Sequence, residues 1–236
     1  MKGIRPNHIM AGEPFKIVVL ISGRGSNLRA LIERLDAAGG PAKVVAVVSD
    51  KASAAGLKIA DKHRIPTCTV PRNHKALNSA EFNSVLADAV KKFRPDLVVL
   101  AGFMRIVTKE FLQVFPDKVI NIHPSLLPAF RGLNAQRQSL ESGAKLAGCT
   151  VHYVSEEVDS GPIIAQAAVP ILPDDTEASL TARIITSEHK LLPAVVLAIS
   201  RGLVTIKRSG REAAVKLDDS LAADSTSSLT SLGGSL

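Results

Sequence analysis

The residues best suited to chemistry are an amide and an imidazole two positions apart in an apolar stretch, Asn121 and His123 in VINIHP. In an extended strand alternate side chains point to the same face, so these two would lie together. Pro124 cannot donate to a sheet ladder and is expected to end the strand, at the edge where open α/β sheets bind ligands. This pair suits a reaction in which a carbonyl becomes an oxyanion; the alternative is a structural histidine.

Two carboxylates also stand at unusual positions. Asp159 lies in the turn DSGP before an apolar strand. An Asp in such a turn commonly bonds its own backbone, but it can also hold an imidazolium or a proton-carrying water. Glu188 falls on the apolar stripe of a predicted helix, between Ile184 and Leu191. Because burying an unpaired carboxylate is costly, Glu188 is expected to face a ligand, a cation or a salt-bridge partner.

A glycine-rich loop joins the first predicted strand to the first predicted helix, with the sequence GRGSN over 23–27. Glycine lets the backbone approach a ligand closely, and N–H groups at a helix N-terminus favour phosphate. A dinucleotide site would need a third glycine near Leu28, and a P-loop would need a lysine; the sequence has neither. The loop predicts a monophosphate cradle or, alternatively, a tight strand–helix turn. Ser26 or Asn27 is expected to cap the helix that follows.

Apolar strands alternate with helical patterns through the first half of the chain. The predicted strands are 16–22, 43–49, 67–70, 96–101 and 118–123, and the clearest helix is 80–93, with Phe82, Val85, Leu86, Ala89, Val90 and Phe93 inward. This alternation favours an α/β fold of Rossmann-like, doubly wound type with a mostly parallel sheet. A mixed C-terminal part is predicted, with strands at 148–154 and 162–169 and a helix at 177–192 that Pro193 restarts or kinks.

The composition describes a globular protein with an aliphatic core, since 46% of residues are hydrophobic but only 3% aromatic. The net charge of +7 draws partly on a basic C-terminal region, and few aromatics could stack on bases, so we expect no nucleic-acid partner. Cys68 and Cys149 lack metal-ligand spacing, which favours a reduced, cytoplasmic setting without a metal. No apolar run approaches membrane-spanning length, and no membrane partner is expected.

Several segments, taken in order, resemble the glycinamide ribonucleotide formyltransferases, a folate-dependent family of purine synthesis. They are ISGRGSN, VVSDK, LAGFMRI, INIHPSLLPAF, GCTVHYVSEEVDSGPI and the helix with SEHKLLP. HPSLLP and DSGP are shared by several formyl-transferring and deformylating relatives, whereas GRGSN and Glu188 point to this family more narrowly. The resemblance implies formyl transfer from 10-formyltetrahydrofolate to the amine of glycinamide ribonucleotide, by a metal-free monomer or homodimer.

The resemblance also implies a role for each residue of the site. The catalytic set is Asn121, His123 and Asp159. The residues implied to bind the phosphate and ribose of the substrate are Gly25, Ser26, Asn27, Ile185, Thr186, Ser187 and Glu188. Those implied to bind the reduced folate are Met104, Arg105, Ile106, Val107, Asn121, Val154, Ser155, Glu156, Glu157, Val158 and Asp159.

Residues 16–203 are therefore predicted to form a formyltransferase domain, preceded by a flexible lead over 1–15. A basic, then serine-rich tail over 204–236 is expected to be partly disordered. Methionyl-tRNA formyltransferase would require a C-terminal RNA-binding domain, for which this tail is too short. Two alternatives stay open: a formyltetrahydrofolate deformylase, and a non-catalytic nucleotide-binding α/β protein that would not need Asn121, His123 and Asp159 together.

Overall fold

The computed structural model describes residues 13–40, 42–71, 78–209 and 212–217. The strands are β1 Phe15–Ile21, β2 Ala42–Ser49, β3 Thr67–Thr69, β4 Leu97–Leu100, β5 Val119–His123, β6 Leu146–Tyr153, β7 Ile163–Pro170, β8 Val204–Ser209 and β9 Glu212–Leu217. The helices are α1 Ser26–Ala38, α2 Ala55–Lys62, α3 Ser79–Lys91, α4 Lys109–Leu112, α5 Ala135–Glu141 and α6 Glu177–Ser200.

Seven strands form one sheet in the order β3-β2-β1-β4-β5-β6-β7, and β8 and β9 form a second. The predicted α/β fold with a mostly parallel sheet is confirmed. The chain divides into two compact units, and the division falls within β5. Within the described residues, the amino-terminal unit comprises 13–121 and Val154–Glu156, and the carboxyl-terminal unit comprises Ile122–Tyr153 and 157–217.

In the amino-terminal unit, β1 pairs in parallel with β2 and β4, β2 with β3, and β4 with the start of β5. Nearly every residue of β1 and β4 is buried, as expected for parallel strands covered on both faces. The register pairs Ile21 with Ser49, Leu20 with Leu100, and Leu100 with Asn121. The strands therefore end at a common edge, and the loops that follow them leave from that edge.

The helices of this unit follow the predicted apolar stripes with two corrections. Leu28, Leu31, Ile32 and Leu35 of α1 are buried as predicted, but Gly25 is the N-cap, in the left-handed region at φ 77°. A cap by Ser26 or Asn27 was therefore a wrong prediction. In α3 the prediction that Val85 faces inward is also wrong, because it lies at the margin of the stripe and is 45% exposed.

In the carboxyl-terminal unit, β6 and β7 pair antiparallel, and α6 runs unbroken from Glu177 to Ser200 with Pro193 inside it. Of the two alternatives predicted at Pro193, a new helix is excluded. Buried residues lie on both sides of the proline within the one helix: Leu191, Leu192, Val195 and Val196.

Two strands lie where the sequence analysis placed only a tail. β8 and β9 pair antiparallel over 204–217, and β9 contacts β7. In β8, Val204 and Ile206 are buried while Thr205 between them is partly exposed, the alternation of a half-buried strand. The sequence analysis did not recognise this short alternating pattern as a strand, because basic residues follow it directly. Phe15, assigned to the lead, belongs to β1; residues 1–12 and 218–236 lie outside the described part of the chain.

Candidate active site

Asp159 lies between two buried histidines in the carboxyl-terminal unit. Its Oδ2 atom is 3.3 Å from His123 Nδ1, and its Oδ1 atom is 3.6 Å from His152 Nε2. The backbone N–H of Gly132 also donates to Oδ2, at 2.9 Å. The side chains of His123, His152 and Asp159 are only 7%, 2% and 12% exposed. These distances bring together His123 and Asp159, two of the three residues of the predicted catalytic set.

The surroundings of Asp159 favour its ionised form. Burial alone would raise the pKa of this carboxyl, but the hydrogen bond from His152 and that from the Gly132 N–H oppose the effect. The positive charges of His123 and His152 act in the same direction, and the net result is a pKa below the usual range for Asp. Asp159 is therefore a carboxylate at neutral pH.

Each histidine faces an oxygen acceptor on both ring nitrogens. His123 Nε2 donates to the Phe130 carbonyl oxygen at 3.0 Å, while Nδ1 faces Asp159. His152 Nδ1 donates to the Tyr153 carbonyl oxygen at 3.0 Å, while Nε2 faces Asp159. A ring placed between two acceptors satisfies both only when it carries two protons. The geometry therefore suits a positively charged His123, which is the form that stabilises an oxyanion.

The loop that follows β5 is tied down by polar side chains of β6 and β7. Thr150 Oγ1 donates to the Ser125 carbonyl oxygen at 2.6 Å and accepts from the Leu127 N–H at 3.1 Å. Gln166 Nε2 donates to the Leu127 carbonyl oxygen at 2.9 Å. This loop continues to Phe130 and Gly132, which form hydrogen bonds with His123 and Asp159. Sequence reasoning missed these supporting residues, although strand alternation in β6 places Thr150 and His152 on one face.

The glycine-rich loop of the amino-terminal unit is both a tight turn and an uncapped helix start. A side chain at Gly25 would bring its Cβ within 2.6 Å of Gly56 Cα, and the Gly56 N–H donates to the Gly23 carbonyl oxygen at 3.0 Å. The N-cap of α1 makes no side-chain hydrogen bond, and its first turn has no acidic residue. By contrast, α3 and α6 both begin with complete capping boxes. The first N–H groups of α1 therefore suit an anion.

The segment Met104–Val107 follows β4 at the same edge of the sheet. Met104 and Ile106 are 61% and 63% exposed, whereas Val107 is buried. Val154 packs against the apolar cluster that contains Val107, and its N–H donates to the Val119 carbonyl oxygen at 2.9 Å. Two segments predicted to bind folate thus meet in this unit, with Ser155 partly buried and Glu156 exposed.

The remaining predicted residues lie in the carboxyl-terminal unit. Glu157 and Val158 are exposed, and Glu157 accepts from Arg131 Nη1 at 3.3 Å. On α6, Thr186 is exposed and Ile185 and Ser187 are partly buried. Glu188 is 6% exposed, as its place on the apolar stripe predicted.

Cys149 is unsuited to act as a nucleophile. Burial and the nearby charge of Glu188 raise the pKa of the Cys149 thiol to about 12. The thiolate is the reactive form of cysteine, and this thiol stays protonated at neutral pH.

The described residues lack the features of two other kinds of site. No group of His, Cys, Asp and Glu side chains within them could hold a metal ion. In that same part of the chain, no helix has both the length and the apolar character needed to cross a membrane. The cluster of Asp159 with His123 and His152 contains imidazole groups of the kind that can donate a hydrogen bond to a developing oxyanion.

The chain belongs to the formyl transferase family, because the model of that family matches residues 15–196. A phosphoribosylglycinamide formyltransferase of Haemophilus influenzae is 41% identical over 192 residues, which span 81% of this chain and 90% of that protein. The crystal structure of glycinamide ribonucleotide transformylase 1 from Symbiobacterium toebii has 42% sequence identity and a TM-score of 0.82, covering 90% of this chain and 98% of that one.

A longer relative contains a similar region as one part. The human trifunctional purine biosynthetic protein adenosine-3 is 45% identical over 202 residues, which span 85% of this chain but only 20% of that protein. The resemblance therefore concerns one portion of the trifunctional protein. The family takes a formyl-folate as its co-substrate.

Proposed function

We propose that this chain transfers the formyl group of 10-formyltetrahydrofolate to the amine of glycinamide ribonucleotide. The observation that carries the proposal is the Asp159 carboxylate held between His123 and His152, in a chain of the formyl transferase family. The relative from Haemophilus influenzae, which matches over most of its length, is named for this activity.

In the proposed reaction the substrate amine attacks the formyl carbon directly. A carbon–nitrogen bond forms, and the carbonyl electron pair moves to oxygen, giving a tetrahedral oxyanion. The Asn121 amide and the imidazolium of His123 donate hydrogen bonds to this oxygen. Collapse of the intermediate breaks the bond to N10 of the folate. A water held by the Asp159 carboxylate carries the proton from the amine to N10, so no metal is required for charge balance.

The hydrogen bond from His123 to Phe130 adds a condition to this mechanism. Nε2 already donates to the Phe130 carbonyl oxygen, and Nδ1 faces Asp159. Donation to the oxyanion from Nε2 therefore requires that the bond to Phe130 be released or shared. Loop residues 125–132 would then adjust when both substrates bind, since hydrogen bonds in an active site often tighten only in the reacting complex.

The other predicted residues bind the two substrates in this proposal. The N–H groups of Gly25, Ser26 and Asn27 hold the phosphate, and Ile185–Glu188 contact the ribose. The folate is bound by Asn121, Asp159, Met104–Val107 and Val154–Val158. The cytoplasmic setting and the monomeric or dimeric state remain predictions from the sequence.

The first test incubates the purified chain with 10-formyltetrahydrofolate, with and without glycinamide ribonucleotide. Loss of the formyl group from the folate is expected only when the ribonucleotide is present, with formation of the formylated product. Formyl loss without the ribonucleotide would instead indicate a deformylase. No formyl loss under either condition would indicate a non-catalytic binding protein.

The second test asks whether the oxyanion donors act in turnover. Asn121→Ala and His123→Ala are each expected to lower kcat by about 10²- to 10³-fold, as in other enzymes that lose one such donor. The KM values should change much less, because the donors act mainly on the transition state. His63→Ala, which removes an exposed histidine, is the control and should leave kcat unchanged. Near-normal kcat in both site variants would contradict the oxyanion role.

A further inference from the structure

The segment Met104–Val107 is held at both ends by buried polar side chains. At its start, the Met104 N–H donates to Ser22 Oγ at 2.8 Å. At its end, Asn83 Nδ2 donates to the Ile106 carbonyl oxygen at 3.2 Å, and Asn83 Oδ1 accepts from the Thr108 N–H at 3.1 Å. Ser22 and Asn83 are 5% and 0% exposed. The backbone of this segment is therefore set before any ligand arrives.

The middle of the segment is held by an ion pair. Arg105 Nε donates to Asp50 Oδ2 at 2.8 Å. Asp50 directly follows β2 and Arg105 follows β4, and the sheet order places β1 between those strands. The pair therefore spans the end of β1, from which the glycine-rich loop departs.

Asp50 is poorly placed to serve stability alone. Its side chain is 0% exposed, and its second oxygen, Oδ1, is buried without a hydrogen-bond partner among the residues that the structure describes. Removing a carboxylate from water and leaving one oxygen unpaired is unfavourable. Replacing a buried ion pair by neutral groups is often neutral or stabilising. The arrangement therefore calls for a role other than holding the fold together.

The geometry shows what that role can be. Asp50 engages Nε of Arg105, which leaves the four N–H donors of the two Nη atoms for other acceptors. The Arg105 side chain is 26% exposed, between the exposed side chains of Met104 and Ile106. Without a fixed acceptor on Nε, a long arginine side chain samples many rotamers and loses entropy on binding. Asp50 fixes one orientation in advance.

We infer that Asp50 is a positioning residue for the reduced folate, acting through Arg105. This inference rests on the proposed function, in which Met104–Val107 bind the folate. Asp50 itself touches no ligand, because its side chain is entirely buried. Its effect is expected on folate affinity, since Arg105 belongs to the segment that binds the folate in this proposal.

The test combines Asp50→Asn with Arg105→Gln in a double-mutant cycle. Asp50→Asn is expected to raise the KM for 10-formyltetrahydrofolate about tenfold, which corresponds to about 1.4 kcal/mol. The kcat and the KM for glycinamide ribonucleotide should stay within about twofold of the unmodified chain. In the Arg105→Gln background, Asp50→Asn should have almost no further effect, because the group through which it acts is gone.

Controls separate positioning from a structural role. Asp96 is a partly buried carboxylate of the same unit, and it accepts from the Lys16 N–H at 2.8 Å. As the control variant, Asp96→Asn should leave the folate KM unchanged. The temperature of thermal unfolding of Asp50→Asn should change little, because the Arg105 side chain is 26% exposed and its charge stays in contact with water. Asp50→Ser is a second uncharged substitution with a smaller side chain. It should raise the folate KM as Asp50→Asn does.

Calorimetric binding of tetrahydrofolate provides a reading that needs no turnover. Weaker binding by Asp50→Asn, absent in the Arg105→Gln background, supports the inference. An unchanged folate affinity, an equal effect in both backgrounds, or a joint rise in both KM values would overturn it while leaving the proposed function intact. An unmodified chain that neither binds tetrahydrofolate nor transfers formyl groups would overturn both.

Discussion

Asp50 and Asp159 are carboxylates whose side chains have little exposure. Asp50 follows β2 and Asp159 precedes β7, and their surroundings differ. Asp159 contacts two histidines and one backbone N–H. Asp50 contacts one arginine and has an oxygen without a partner among the described residues. Histidine gains and loses protons near neutral pH, whereas arginine stays charged. Asp159 can therefore take part in proton movement, but Asp50 can only orient its partner.

The same difference extends to the groups around each carboxylate. Near Asp159, the loop that carries Phe130 and Gly132 contributes backbone groups to the charged cluster itself. In the amino-terminal unit, Ser22 and Asn83 bind the backbone of Met104–Val107 and leave the side chains of Met104 and Ile106 exposed. One region concentrates charge for a reaction, and the other holds a surface ready for a ligand. Variants of the two regions should therefore separate kcat from KM.

The largest expected effect comes from Asp159→Asn. The isosteric amide lacks the negative charge that faces the two histidine rings and cannot accept a proton from water, so kcat should fall by about 10²- to 10⁴-fold, the usual range for losing an acid–base group. The KM values should change far less. Steady-state kinetics with both substrates measures this directly, beside Asp50→Asn as the counterpart from the other unit. Comparable losses of kcat in both variants would erase the distinction between them.

Much of this site was predictable because its chemistry follows local rules. Alternation within β5 and the proline after it placed Asn121 and His123 at a strand end, and the apolar stripe of α6 predicted the burial of Glu188. Continuous apolar runs gave the parallel strands. These features depend on residues near one another in the chain, which is where periodicity carries information.

The supporting residues could not be predicted in the same way. Asp50 and Arg105 are 55 positions apart, and Gln166 and Leu127 are 39 apart. Such pairs depend on how strands are ordered and registered, which no local pattern reveals. The contact between Gly25 and Gly56 could not be predicted for the same reason, although both glycines are plain in the sequence. Sequence patterns thus predicted the reacting groups better than the groups that hold them.

An intermediate effect is expected from Gly25→Ala, which tests positioning by the backbone. The new Cβ would meet Gly56 Cα at 2.6 Å, and the residue would keep a φ of 77° that alanine disfavours. The free energy of unfolding should fall by about 1–3 kcal/mol. The KM for glycinamide ribonucleotide should rise about tenfold because the N–H groups of α1 shift, with kcat changing less.

Gly23→Ala is the matched control for that variant. A Cβ at Gly23 meets no atom within 4 Å, so both the stability and the KM should change much less. Urea unfolding and steady-state kinetics measure the two quantities. If the two alanine variants behaved alike, the close approach of Gly25 to Gly56 would not explain the requirement for glycine.

The smallest effect concerns the pH dependence of stability. The pKa of Asp159 is lowered in the folded chain by its hydrogen bonds and the charges of His123 and His152, against the opposing effect of burial. A carboxyl whose pKa is lower in the folded than in the unfolded state stabilises the fold above the unfolded value, about 3.9. This contribution is lost as the pH falls through the folded value. Unfolding of the unmodified chain and of Asp159→Asn, compared between pH 5 and pH 2.5, should show a stability difference that narrows below pH 4. The other carboxyls titrate equally in both proteins and cancel in the difference. A gap that stays constant down to pH 2.5 would mean that the charge of Asp159 does not stabilise the fold, and that its two histidines act on it only in the reaction.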